Sequence, residues 1–100
     1  MGQREAFRYE IQYTTVAEKF FKKHETVRSQ YEDAVRELVL GEHPERVDVK
    51  RIRGKRQDCY RIRLGNYRVI YAVINGKIVV IQTLLAGPRG DVYKKMSGLK

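Results

Sequence analysis

Arg61 and Arg63 stand two residues apart in the segment Cys59-Tyr60-Arg61-Ile62-Arg63-Leu64. Successive side chains of a β-strand point to opposite faces. Tyr60, Ile62 and Leu64 then share one face, and Cys59, Arg61 and Arg63 the other. With helices over the apolar face, two guanidinium groups remain on the open one about 6–7 Å apart, one strand repeat. Phosphates along RNA have a comparable spacing. Gly65-Asn66 is a tight hairpin signal, and beyond it Arg68 brings a third guanidinium close. Arg53 and Arg89, each beside a glycine at a strand end, can enclose the same concave surface. Guanidinium forks bind phosphate oxygens bidentately and stabilise charge that accumulates at phosphorus, so the cluster suits phosphoryl transfer. The competing reading is that exposed strands carry arginine for solubility and edge protection.

Other catalytic parts are scarce. A Ser-His-Asp or Cys-His arrangement needs a histidine, and the two present, His24 and His43, lie in the acidic half of the chain. His24 belongs to an apolar helical stripe and reads as a helix-end residue; His43 precedes Pro44 in a loop and reads as solvated. Asp58 and Asp91 are far apart in sequence and form no evident carboxylate pair. Metal-ligand spacing is absent, and no cofactor is expected. Gly87-x-x-Gly90 is too short to read as a phosphate loop. Cys59, the single cysteine, excludes an internal disulfide and reads as a small strand residue rather than a nucleophile. Tyr93, near a basic tail, is open to three readings: a base-stacking platform, a proton donor or a packing residue.

Charge supports an anionic partner. The 100 residues carry a net charge of +9. Residues 1–45 hold 7 basic and 9 acidic side chains, residues 46–68 hold 9 and 2, and residues 69–100 hold 5 and 1. A balance of −2, +7 and +4 suggests one basic face, the footprint of a phosphate-backbone binder; a solvated face and a docking surface for an acidic protein are the other readings. An apolar fraction of 42% with 33% charged residues suits one ordinary core in a single domain spanning 1–100. No apolar run approaches the roughly 20 residues of a membrane helix, and the start carries no apolar signal region. The expectation is a soluble cytoplasmic domain with no membrane association.

The elements that must position the arginines follow from periodicity. Phe7–Tyr13 alternates apolar and polar, as a half-buried strand does. Thr14-Thr15 offers an N-cap, and Thr15 with Glu18 fits a capping box; Val16, Ala17, Phe20, Phe21 and His24 give a short helix one apolar face. A second helix is expected from Thr26 or Ser29, with Val27, Tyr31, Ala34, Val35, Leu38 and Val39 as its stripe and Gly41 as its stop. The period then switches to two: strands over Val47–Ile52, Cys59–Leu64 and Tyr67–Val73. The nearly continuous apolar run Ile78–Leu85 reads as a strand covered on both faces, broken by Gly87-Pro88-Arg89-Gly90. The order predicts an α+β domain: an N-terminal strand and a helical hairpin packed on a largely antiparallel sheet of about four strands.

The blocks DVKRIRG (48–54), DCYRIRLGNYRVIYAV (58–73) and GPRGDVYK (87–94), behind a strand and a helical hairpin, resemble RelE-type toxins of the RelE/ParE superfamily, which share a microbial RNase-like fold. The resemblance covers about 7–95. It implies a type II toxin that cuts mRNA in the ribosomal A site by attack of a ribose 2′-OH on the adjacent phosphate, and that is neutralised by a cognate antitoxin, acidic and ordering as it binds. Two family lysines correspond to Arg61 and Arg63; the hairpin arginine, the arginine after the last strand and the C-terminal tyrosine match Arg68, Arg89 and Tyr93. Arg53 matches a basic family position, and with Lys50, Lys55, Arg56 and Lys94 is expected to bind RNA.

One departure bears on chemistry. The bacterial pattern has lysines where this chain has Arg61 and Arg63; archaeal relatives look arginine-rich in the same way. Lysine can be desolvated into a general base, whereas arginine stays protonated. The pair is therefore expected to bind phosphate and stabilise the transition state, with activity reduced by the missing base. Two further readings stand beside the endoribonuclease: a ParE-like poison of DNA gyrase, and an RNA- or ribosome-binding relative without catalysis.

Overall fold

The computed structural model describes residues 8–53, 58–88 and 92. Five strands and two helices follow one another as β1 (Tyr9–Tyr13), α1 (Thr15–Lys22), α2 (Glu25–Leu40), a 3-10 turn (Pro44–Arg46), β2 (Val49–Ile52), β3 (Cys59–Leu64), β4 (Tyr67–Ile74) and β5 (Val79–Pro88). The strands form one sheet in the order β1-β5-β4-β3-β2. β2, β3, β4 and β5 pair antiparallel in succession. β1 pairs parallel with β5, Tyr9 opposite Val79 through Tyr13 opposite Thr83. The expected count of four thus rises to five, because the N-terminal strand closes the sheet; the helical hairpin supplies part of the crossover that a parallel pair requires.

The helices lie on one face. Ala17, Phe21, Val27, Tyr31 and Val35 pack against Ile62, Val69, Tyr71, Ile81 and Ala86. Tyr31 is fully buried, its ring stacked on Phe21 with centroids 5.7 Å apart and its hydroxyl 2.7 Å from Thr83 Oγ1. Thr14 ties the hairpin to the sheet. Its side chain accepts the Ala17 amide (3.2 Å) and donates to the Leu84 carbonyl (2.8 Å). Of the two expected cap residues Thr14 serves, and not Thr15 with Glu18: Thr14 has the extended backbone a cap requires, while Thr15 is already helical.

Several boundaries differ from the sequence expectation. α2 starts at Glu25, before Thr26 and Ser29. His24 ends α1 by stacking on Phe20 (4.1 Å) with Nδ1 2.9 Å from the Phe20 carbonyl, and the chain turns straight into the next helix. β2 begins at Val49 rather than Val47, whose amide closes the 3-10 turn on Pro44. β5 runs through Gly87 and Pro88, where a break was expected, because the ladder continues with Arg68 opposite Gly87 and Tyr67 opposite Pro88.

A bulge in β5 sets up the opposite face. Ile70 pairs with Leu85 and Tyr71 with Thr83, leaving Leu84 as the extra residue. An inserted residue reverses which side chains point where. Ile81 and Thr83 face the helices before it; beyond it Ala86 faces the helices, and Leu85 joins Cys59, Ile70 and Val92 in a second small cluster. From Leu84 on β5 is thus covered on both faces, as its continuous apolar run implies, whereas before the bulge Val80 and Gln82 are only half-buried and Ile78 is exposed.

Candidate functional site

The open face carries two rows of cations. Cross-strand register sets Lys50 of β2 opposite Arg61 of β3, and Arg63 of β3 opposite Arg68 of β4. Directly opposed residues on neighbouring strands lie about 4.5–5.5 Å apart between Cα atoms, so four positive side chains share a patch two strand repeats long. The alternation that predicts this face holds: Ile62, Tyr60 and Leu64 pack with the helices, and Cys59 with the opposite cluster.

Exposure grades across the patch. Lys50 and Arg63 are exposed, the Arg61 side chain is 15% accessible, and Arg68 is 5% accessible. Arg68 lies on an interior strand, next to Gly87. A Cβ on Gly87 would come within 3.3 Å of the Val92 side chain, so the glycine admits Val92 beside the arginine. The Arg68 guanidinium donates through Nη1 to the Gly65 and Tyr67 carbonyls, 3.2 Å each. This fixes it against the hairpin, whose turn is formed by Gly65 at φ +61°, a backbone conformation that glycine adopts without strain. The Nε atoms of Arg61 and Arg68 are buried and have no hydrogen-bond partner among the described residues. Like charges opposite one another destabilise a sheet, and buried donors without partners do so further. A patch that departs from both rules has the character of a binding surface rather than of a stability element.

Asp48, which sequence reasoning did not single out, meets this patch: its Oδ1 accepts from Arg61 Nη2 at 3.0 Å. Its signal was the alternation, since Asp48 and Lys50 fall on one face. On the helix face Arg51 donates through Nε to Asp58 (2.8 Å). Arg53 is exposed one residue beyond β2. Lys55, Arg56, Arg89, Tyr93 and Lys94 lie outside the described residues. Cys59 is buried, and burial, with the Asp58 charge, pushes its thiol pKa up, away from the thiolate a nucleophile needs. His43 is exposed beside Glu45 (3.2 Å). Among the described residues no three His, Cys, Asp or Glu side chains gather as metal ligands, and no helix is long and apolar enough to cross a membrane.

A helical hairpin on one face of a five-stranded sheet and arginines on the other define a small basic α+β domain. The family model described as ParE toxin of type II toxin-antitoxin system, parDE, matches residues 11–88. The chain belongs to this family, within the RelE/ParE superfamily, and is a toxin of a type II toxin–antitoxin system. It is similar to a solved chain of the archaeal RelE-RelB complex from Pyrococcus horikoshii OT3, with 32% identity, 85% of this chain and 97% of that chain covered, and a TM-score of 0.57. The RelB-RelE antitoxin-toxin complex from Methanococcus jannaschii shares the fold, at 23% identity over 84% of this chain and 96% of that chain, with a TM-score of 0.55. Comparison with curated proteins gives no match.

Proposed function

We propose that this toxin is a ribosome-dependent endoribonuclease that cuts mRNA in the A site and so inhibits translation. The observation that carries the reading is the register: Lys50 opposite Arg61 and Arg63 opposite Arg68, on the face the helices leave open. In the reaction a ribose 2′-OH gives up its proton and its oxygen bonds to the adjacent phosphorus. The bond from phosphorus to the 5′-oxygen breaks, and that oxygen takes a proton to leave as a 5′-OH end. Negative charge grows on the phosphoryl oxygens, and a guanidinium held in a poorly solvated site stabilises it more strongly than one in water. Arg68, the most buried cation among the described residues, is assigned that role, together with Arg89. Arg61 and Arg63 bind phosphate, Tyr93 takes part in proton transfer or stacking, and Lys50, Arg53, Lys55, Arg56 and Lys94 bind flanking RNA. The ribosome supplies the alignment of the strand.

The partner is a cognate antitoxin, in keeping with the two similar complexes. An acidic segment suits the basic face. Apolar side chains suit a groove of about 360 Å³ between α2 and the sheet, lined by Val35, Leu38, Val39, Tyr60, Val73 and Ile81 among others. The site of action is the cytoplasm. The family model's ParE description favours a second reading, a gyrase poison with no RNA chemistry. Expression of the wild type and of Arg68→Ala, with protein synthesis and DNA-damage response followed together, separates the two. Early arrest of synthesis that Arg68→Ala relieves supports the endoribonuclease; a damage response with synthesis intact supports the gyrase poison and overturns the first reading.

A further inference from the structure

Asp48 lies just before β2, and its carbonyl accepts the Arg63 amide at 2.9 Å. The ladder therefore continues one pair beyond Val49 opposite Ile62 and sets Asp48 across from Arg63. Its carboxylate then reaches along the same face to Arg61 Nη2, 3.0 Å away. The Asp48 side chain is 54% accessible and that of Arg61 15%, so the carboxylate sits at the rim and the guanidinium beneath it. Among the described residues this is the hydrogen bond the Arg61 guanidinium makes, and its Nε is buried without one. The other acid between residues 46 and 68, Asp58, serves Arg51 on the opposite face.

Two physical effects act on Arg61. Lys50 directly opposite and Arg63 one repeat away repel it, which favours a guanidinium swung out into solvent. A long side chain free to swing also loses rotamer freedom when it binds. A carboxylate on Nη2 opposes both, and leaves the remaining donors facing the patch. The same negative charge repels an incoming phosphate. We propose that Asp48 is a positioning residue: its carboxylate holds the Arg61 guanidinium where it meets the scissile phosphate, and in doing so weakens RNA binding. The catalytic half of this inference rests on the endoribonuclease reading.

Opposite movement of affinity and turnover is the signature. Asp48→Asn, checked for an unchanged fold by circular dichroism, is expected to bind single-stranded RNA roughly 2–5-fold tighter at low salt, the effect of one exposed charge. It is expected to cut ribosome-bound mRNA about 10–100-fold more slowly, the size of effect that follows a small misplacement of a positioned group. In an Arg61→Ala background Asp48→Asn should slow cutting no further. Unchanged or faster cutting by Asp48→Asn would make the carboxylate a mere competitor and overturn the proposal, as would further slowing in the Arg61→Ala background. Nitrogen-15 spectra of the arginine Nε–H groups test the positioning without any cutting. A distinct, slowly exchanging Arg61 signal should broaden in Asp48→Asn, and an identical signal in both proteins refutes it. If the wild type itself does not cut, the endoribonuclease reading fails and the catalytic half falls with it, while the spectra still decide whether Asp48 holds Arg61.

Discussion

Tyr31 joins the helical layer to an interior strand through one hydrogen bond, from a hydroxyl and a ring that are both fully buried. Tyr31→Phe keeps the ring and its stack on Phe21 but leaves the Thr83 hydroxyl buried without a partner. Such an orphaned group destabilises by about 1–3 kcal/mol. For a domain of this size each kcal/mol lowers the unfolding midpoint by roughly 4–8 °C, so Tyr31→Phe should melt roughly 4–24 °C below the wild type. Thr83→Val orphans the tyrosine hydroxyl and should lose a similar amount. The double variant replaces both partners with apolar groups of similar shape, so its loss should fall short of the sum by about 1 kcal/mol or more. Burial pushes the Tyr31 pKa far above its ordinary value, so the group stays protonated and the losses should be equal at pH 6 and pH 9. Urea unfolding of the four proteins gives the cycle. A Tyr31→Phe loss within about 0.5 kcal/mol of zero, or strict additivity, would refute the coupling of the two layers through this bond.

Tyr71 extends the argument to alkaline pH. Burial, then the nearby Tyr60, raises its pKa to about 12, so the folded state keeps a proton that the unfolded chain releases near pH 10. Its contribution is fully present below pH 10 and is lost as pH rises through 12; Tyr71→Phe should flatten that part of a urea-midpoint profile between pH 9 and 12. Gly65 has φ +61° and open space where a Cβ would stand, so only backbone strain opposes substitution there. Gly65→Ala should lose about 1–2 kcal/mol and Gly65→Asn less, by the same unfolding assay. Arg63 is exposed, so Arg63→Ala should leave the melting temperature unchanged. It should also reduce the slope of log affinity against log salt for single-stranded RNA by about 0.7, one phosphate contact.

How much of this was legible in the sequence depended on whether the signal was local. The β3 limits came directly from alternation ending at Gly65-Asn66, and the open-face arginines followed from the same period. The stop of α2 at Gly41 was equally local, although the glycine has φ −78° rather than a left-handed conformation. Boundaries set by pairing were not legible. Gly87 and Pro88 read as breakers, yet β4 opposite them extends the strand. The bulge at Leu84, which sends Leu85 and Gly87 to the open face, has no mark in a run of apolar residues. The parallel docking of β1 depends on where the hairpin delivers the chain. The same holds within the site. That Arg61 and Arg63 share a face needed only period two, whereas the burial of Arg68 and the reach of Asp48 to Arg61 needed the register of three strands.

The central claim is that the arginine face cuts mRNA on the ribosome. Its most direct test is 5′-end mapping of a defined mRNA in a reconstituted translation reaction, with the wild-type protein, with Arg68→Ala and with naked RNA alongside. New 5′-OH ends within A-site codons, present only with ribosomes and the wild type, are the predicted result. Slowed translation without new ends would contradict it and leave a binding protein on the same fold.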